Sequence, residues 1–111
     1  MRIDFGEIEP EEKHNFKGGT GTLHIQAADD GQVRIQRVVV HPGGSLGMHF
    51  HEGNCEVVYV VSGGGKVLDG DDEYRLEPGL VTYCPEGKRH SIINDTEDDL
   101  ELFAVIPTFA K

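Results

Sequence analysis

The sequence predicts an all-β fold, a sandwich or barrel. Three observations carry that reading. Short runs of β-branched and aromatic residues recur along the chain. Each run is bounded by glycine, proline, aspartate or asparagine, and no stretch holds the apolar repeat of an amphipathic helix. With 111 residues and 12.2 kDa, the chain can build one core and is too short for two, so a single domain is expected.

The elements follow in order. Residues 1 to 20 form an N-terminal segment with a short strand expected at Arg2 to Phe5. A loop or one helical turn is expected around Pro10, Glu11 and Glu12, and it ends at Gly18 and Gly19. The barrel proper is placed at residues 21 to 111. TLHIQA (22 to 27) and QVRIQRVVV (32 to 40) read as strands joined across Asp29, Asp30 and Gly31, a turn suited to a hairpin. After the glycine-rich stretch from Gly43 to Gly63, GKVLD and DEYRLE form a second hairpin around Asp69 and Gly70. Pro78 and Gly79 then turn into LVTYC, Pro85 to Gly87 turn into HSIIN, and an acidic loop leads to LELFAVIP.

Charge narrows the function classes. Twenty acidic against ten basic side chains give a formal charge of −10, which opposes approach to phosphate backbones and anionic lipid. Neither nucleic acid nor a membrane is expected as a partner. The N-terminus lacks the basic start, apolar middle and cleavage site of a secretory leader, and no apolar run approaches a membrane span, so a cytoplasmic protein is expected. Cys55 and Cys84 are too few for a disulfide framework and read as reduced thiols. Cys55 is expected to point away from the site and Cys84 to be a minor candidate for its wall.

The chemistry gathers in GGSLGMHFHEGNCEVVYVVSG, residues 43 to 63. On a strand, His49 and His51 point to one face, which is the geometry of metal ligands. Glu56, inside an apolar run, would be costly to bury unless a positive charge shares its space, and a divalent cation supplies one. His14, His24 and His41 have no same-face partner at ligand spacing and read as ordinary strand or loop residues.

A second stretch, GLVTYCPEGKRHSIIN (79 to 94), makes the pattern specific. Gly43, His49, His51, Glu56 and Gly63 meet the spacing G-x5-H-x-H-x4-E-x6-G. Gly79, Pro85, Gly87, His90 and Asn94 meet G-x5-P-x-G-x2-H-x3-N. The two stretches resemble the paired motifs of the cupin superfamily, and the likeness covers roughly residues 33 to 107. It implies a small double-stranded β-helix of jelly-roll type with His49, His51, Glu56 and His90 around one divalent transition metal ion, whether iron, manganese, nickel, copper, cobalt or zinc. It also implies an N-terminal segment that pairs with a neighbouring subunit. Many cupins carry aspartate where this chain has Leu80, so a hydrogen bond usual in that loop is lost.

Four ligands leave one or two positions open on a five- or six-coordinate ion, as a catalytic metal needs. Glu56 is either the fourth ligand or an unligated general base beside the ion. Alternation along the strands places Ile92, Leu102 and Ala104 on the wall that meets a substrate, with Ile106 also inward. On the strand before the first motif, alternation allows either Gln36, Val38 and Val40 or Ile35, Arg37 and Val39 to line that wall. The cost of a lone arginine charge in a tight apolar pocket favours Gln36 inward and Arg37 outward. Function therefore reads as a metal-dependent enzyme, dioxygenase-like or isomerase-like, acting on a small oxygen-bearing metabolite. The alternative is a non-catalytic cupin that binds a small molecule or metal for sensing or storage. Small barrels pair through exposed sheet edges, so a homodimer is expected.

Overall fold

A computed structural model describes residues 1–109 as two antiparallel sheets packed face to face, a jelly roll. Among the described residues the strands are β1 (Glu11–His14), β2 (Thr22–Asp29), β3 (Val33–Val40), β4 (Ser45–Phe50), β5 (Glu56–Ser62), β6 (Gly65–Asp69), β7 (Asp72–Leu76), β8 (Val81–Cys84), β9 (Arg89–Ile93) and β10 (Leu100–Pro107). One sheet runs β1-β2-β3-β10-β5-β8 and the other β4-β9-β6-β7.

Side-chain alternation explains the packing. On β10, Leu100, Leu102 and Ala104 are buried while Phe103 faces out. Facing them from the same sheet are Val38 and Val40 on β3 and Val58 and Val60 on β5. The opposite sheet contributes Leu46, Val67, Leu76 and Ile92 to the same cluster. A strand with one dry face specifies its register, because a slip of one residue would expose all of these at once. The β2–β3 hairpin is closed by side chains: the Gly31 N–H donates to Asp29 Oδ1, and the Gln32 and Val33 N–H groups donate to Asp30 Oδ1, at 2.9–3.0 Å.

The N-terminal segment departs from expectation. Arg2 to Phe5 is not a strand; Phe5–Glu7 is a 3-10 turn capped by Asp4, whose Oδ1 accepts from the Gly6 N–H at 2.9 Å. The expected loop holds β1 instead, which pairs with β2 from Glu11↔Ile25 to His14↔Thr22. EEKH has no apolar alternation because an edge strand lying outside the core needs only its backbone to pair. A second 3-10 turn, Phe16–Gly18, follows. No helix among the described residues is long and apolar enough to cross a membrane.

Candidate metal centre

The four motif side chains, carried by strands of both sheets, meet at one place. His49 on β4 and His90 on β9 are direct cross-strand partners, placed by an irregularity in the ladder between Leu46 and His49. His51 lies just past β4. Its N–H donates to the Lys88 carbonyl at 3.0 Å, and its own carbonyl accepts from the Gly87 N–H at 2.7 Å. The turn Pro85 to Lys88 that holds it requires φ near +82° at Gly87, a conformation that glycine takes without strain. Glu56 opens β5 opposite Cys84, so the carboxylate arrives from the six-stranded sheet.

One donor atom from each of His49, His51, Glu56 and His90 lies within 4.8 Å of every other. His51 Nε2 and His90 Nε2 are 3.0 Å apart, and His90 Nε2 and His49 Nε2 are 3.2 Å apart. Glu56 Oε1 is 3.1 Å from His51 Nε2 and 3.0 Å from His90 Nε2. The outer nitrogens are held away from this centre: His49 Nδ1 donates to the Gly47 carbonyl at 2.6 Å and His51 Nδ1 to Asn54 Oδ1 at 2.8 Å. A carbonyl oxygen only accepts, so each Nδ1 carries its hydrogen. In the neutral rings both Nε2 lone pairs are then aimed inward.

Burial pushes the Glu56 carboxyl up, but hydrogen bonds from His51 and His90 outweigh it and bring the group down to about 2. The Glu56 hydrogen bond raises His51 above its ordinary value against the effect of burial, whereas burial lowers His49. An ionised carboxylate at hydrogen-bond distance from these Nε2 atoms needs positive charge between them, supplied by a proton on the ring or, with the rings neutral, by an ion. A divalent transition ion, which accepts imidazole nitrogen and carboxylate oxygen, fits that donor set. His90 Nδ1 is buried without a hydrogen-bond partner among the described residues, so this ring is oriented by packing and by its contacts at Nε2.

A cavity of about 300 Å³ opens over the cluster, lined among others by Phe16, Lys17, Arg34, Gln36, Phe50 and Ile106. Gln36 is buried, and its Oε1 accepts from Arg34 Nε at 2.8 Å. Arg37 lies on the other face of β3 and pairs with Glu101 at 3.2 Å. Ile92, Leu102 and Ala104, expected on the substrate wall, are buried in the apolar cluster below and do not line this cavity. Cys84 is buried opposite Glu56 with its thiol pushed up to about 11 by burial, and it also lies outside the lining. His24 and His41 sit elsewhere, Nδ1 to Nε2 at 2.7 Å, with Asp99 2.8 Å from His41 Nδ1.

Sequence reasoning missed Lys17, Arg34 and Asn54. Arg34 was within reach, since it is two residues from Gln36 and shares its face of β3. Lys17 comes from a 3-10 turn and Asn54 from an isolated bridge to Thr108, and neither place has a side-chain period.

Residues 36–106 match the cupin domain family. The chain is a cupin. It is similar to the oxalate-binding protein of Thermotoga maritima, 34% identical over 112 residues that span 96% of this cupin and 93% of that protein. The crystal structure of a predicted oxalate decarboxylase from Thermotoga maritima superposes with a TM-score of 0.91 at 32% identity, covering 98% of this cupin and all of that chain. The xanthan biosynthesis protein XanB of Xanthomonas campestris is 36% identical over 78 residues. Those residues span 69% of this cupin and 17% of XanB.

Proposed function

We propose that this cupin holds one divalent transition metal ion on His49, His51, Glu56 and His90 and binds a small oxygen-bearing anion of the dicarboxylate class upon it. The observation that carries the reading is the convergence of three imidazoles and a carboxylate on one point beneath a cavity that also presents Lys17 and Arg34. His49, His51, Glu56 and His90 would hold the ion, which would supply a Lewis acid for ligand oxygens. The chain's own residues do the rest. Gly47 and Asn54 fix the imidazoles, and Gln36 and Arg34 offer a hydrogen-bonded pair to the ligand. Phe16, Phe50 and Ile106 reduce the water around it. The oxalate-binding relative supports this ligand class.

Titration calorimetry tests the reading. Metal-free protein is loaded with each candidate ion in turn and titrated with oxalate. Heat of binding is expected only when metal is present, and its absence with every ion overturns the proposal.

The second reading is a metal-dependent enzyme, favoured by a donor set that leaves the ion open to a reactant. Metal-loaded protein is assayed against oxalate, diketones, catechols and keto sugars. Turnover that His90→Ala abolishes supports the enzyme; binding without turnover of any of these supports the non-catalytic binder.

A further inference from the structure

Lys17 stands in an unusual place. Asn15 and Lys17 are the non-glycine residues with positive φ among the described residues, at 51° and 56°. For a residue with a side chain this left-handed backbone is strained, and such outliers persist where the surroundings enforce them. The enforcement is visible. Gly18 N–H donates to the Asn15 carbonyl at 3.1 Å and Gly19 N–H to the Phe16 carbonyl at 2.9 Å. The Ser45 N–H at the start of β4 donates to the Thr20 carbonyl at 2.8 Å, and the Thr20 N–H donates to Ser45 Oγ at 2.9 Å.

Two glycines let this segment lie backbone to backbone on β4. A Cβ on Gly47 would collide with the Lys17 carbonyl, and one on Gly19 would stand 2.8 Å from the Gly47 nitrogen. Gly47 is also the residue whose carbonyl orients His49. The strap that carries Lys17 is therefore seated on the backbone of the metal cluster.

The side chain it presents has no carboxylate partner among the described residues, although the chain carries twenty acids; its recorded neighbour is the Phe16 ring, 5.6 Å from Nζ to centroid. Arg34, the other cation of the cavity, is engaged by Gln36 and by Asp29 at 3.8 Å. Lys17 lines the same cavity as the ligand residues His49, His51 and Glu56.

We propose that Lys17 is the specificity-determining residue of the cavity: its ammonium pairs with ligand oxygens that the metal does not hold, so the site selects a dianion over a monoanion of the same size. This rests on the metal-dependent anion binding proposed above. Glycine would sit at ease in this left-handed backbone, and lysine there instead brings a charge to the cavity.

The test compares oxalate with oxamate, in which an amide replaces one carboxylate. Both are titrated into metal-loaded wild-type protein and into Lys17→Met, Lys17→Arg and Lys17→Gly, with metal content measured for each. The Met variant is expected to lose at least about tenfold in oxalate affinity, the worth of one charge-assisted contact, and less than about twofold for oxamate. The Arg variant keeps the preference. The Gly variant loses it while melting higher than wild type, since its backbone is relieved. Unchanged oxalate binding in Lys17→Met overturns the role of Lys17 alone, as does an equal loss for both ligands, which marks a structural role. Wild-type protein that takes up metal and binds neither ligand overturns the anion-binding reading and this one with it.

Discussion

His51 Nε2 lies 3.1 Å from Glu56 Oε1, and that contact joins the end of β4 in the four-stranded sheet to the start of β5 in the six-stranded one. Both side chains are nearly dry. Glu56→Gln keeps the shape and removes the charge. Metal affinity is expected to fall by more than the about 10–100-fold typical of a change outside the ligand shell. Circular dichroism should show the strands retained, and full metal content in the variant would remove Glu56 from the ligand set.

Asn54 acts one step further out. Its Oδ1 holds His51 Nδ1 at 2.8 Å, which fixes the ring and its tautomer. Asn54→Ala is expected to weaken metal binding about 10–100-fold without touching a donor atom. A chelator competition titration reads the change, and wild-type affinity would contradict the orienting role.

Metal uptake is expected to strengthen as pH rises. The Glu56 hydrogen bond holds His51 above its ordinary value of 6.5, so an ion entering near neutrality displaces a proton from that ring. His49, held below 6.5 by burial, is already neutral there. Calorimetry in buffers of different ionisation heat reads the released proton; affinity that stays flat between about pH 6 and 8 contradicts it. Glu56 sets a separate limit on the metal-free fold. Its folded value of about 2, low in spite of burial, lies below its ordinary 4.5. Its contribution is therefore full above 4.5 and is lost as pH falls toward 2.

Leu102 is 1% exposed on β10 and packs in the apolar cluster. Leu102→Ala is expected to destabilise the protein by about 2–5 kcal/mol in denaturant titration, the usual cost of such a cavity, with oxalate affinity of the folded protein unchanged. A selective loss of affinity would instead return Leu102 to the ligand wall.

The outer face of the six-stranded sheet bears Val57, Tyr59, Val81, Tyr83 and Phe103, each 37–55% exposed and adjacent through the β10–β5–β8 register. Apolar surface of this kind favours association, and the expected homodimer would cover it. Light scattering should give twice 12.2 kDa for the wild type and 12.2 kDa for Tyr59→Asp with Val81→Asp. A monomeric wild type ends that expectation.

Much of this molecule was legible in the residues. The last strand was placed at LELFAVIP and is Leu100–Pro107, because its alternation is strict and its flanks are turn residues. The spacing of the two motifs groups His49, His51, Glu56 and His90, because fixed spacing leaves little freedom for strand ends. β1 was not legible, since an edge strand with no dry side writes no period. Lys17 was equally silent: its place depends on Gly19 and Gly47 approaching across 28 residues of chain, and pairwise closeness of backbones has no signature in composition. Alternation chose the inward faces but not the depth. Ile92, Leu102 and Ala104 face inward into the apolar cluster and not into the cavity, although Ala104 is the cross-strand neighbour of Gln36, which lines it.

Strand β9 marks a border. His90 belongs to the polar mouth, and Ile92, two residues on, belongs to the hydrophobic floor. Folding and chemistry are thus housed side by side in one interior, with Leu46 on the seam between them. Lys17, Arg34 and Gln36 can be exchanged to retune what the protein accepts while the aliphatic floor goes on holding the sheets together. A barrel partitioned in this way is a natural chassis for engineering new ligand preferences.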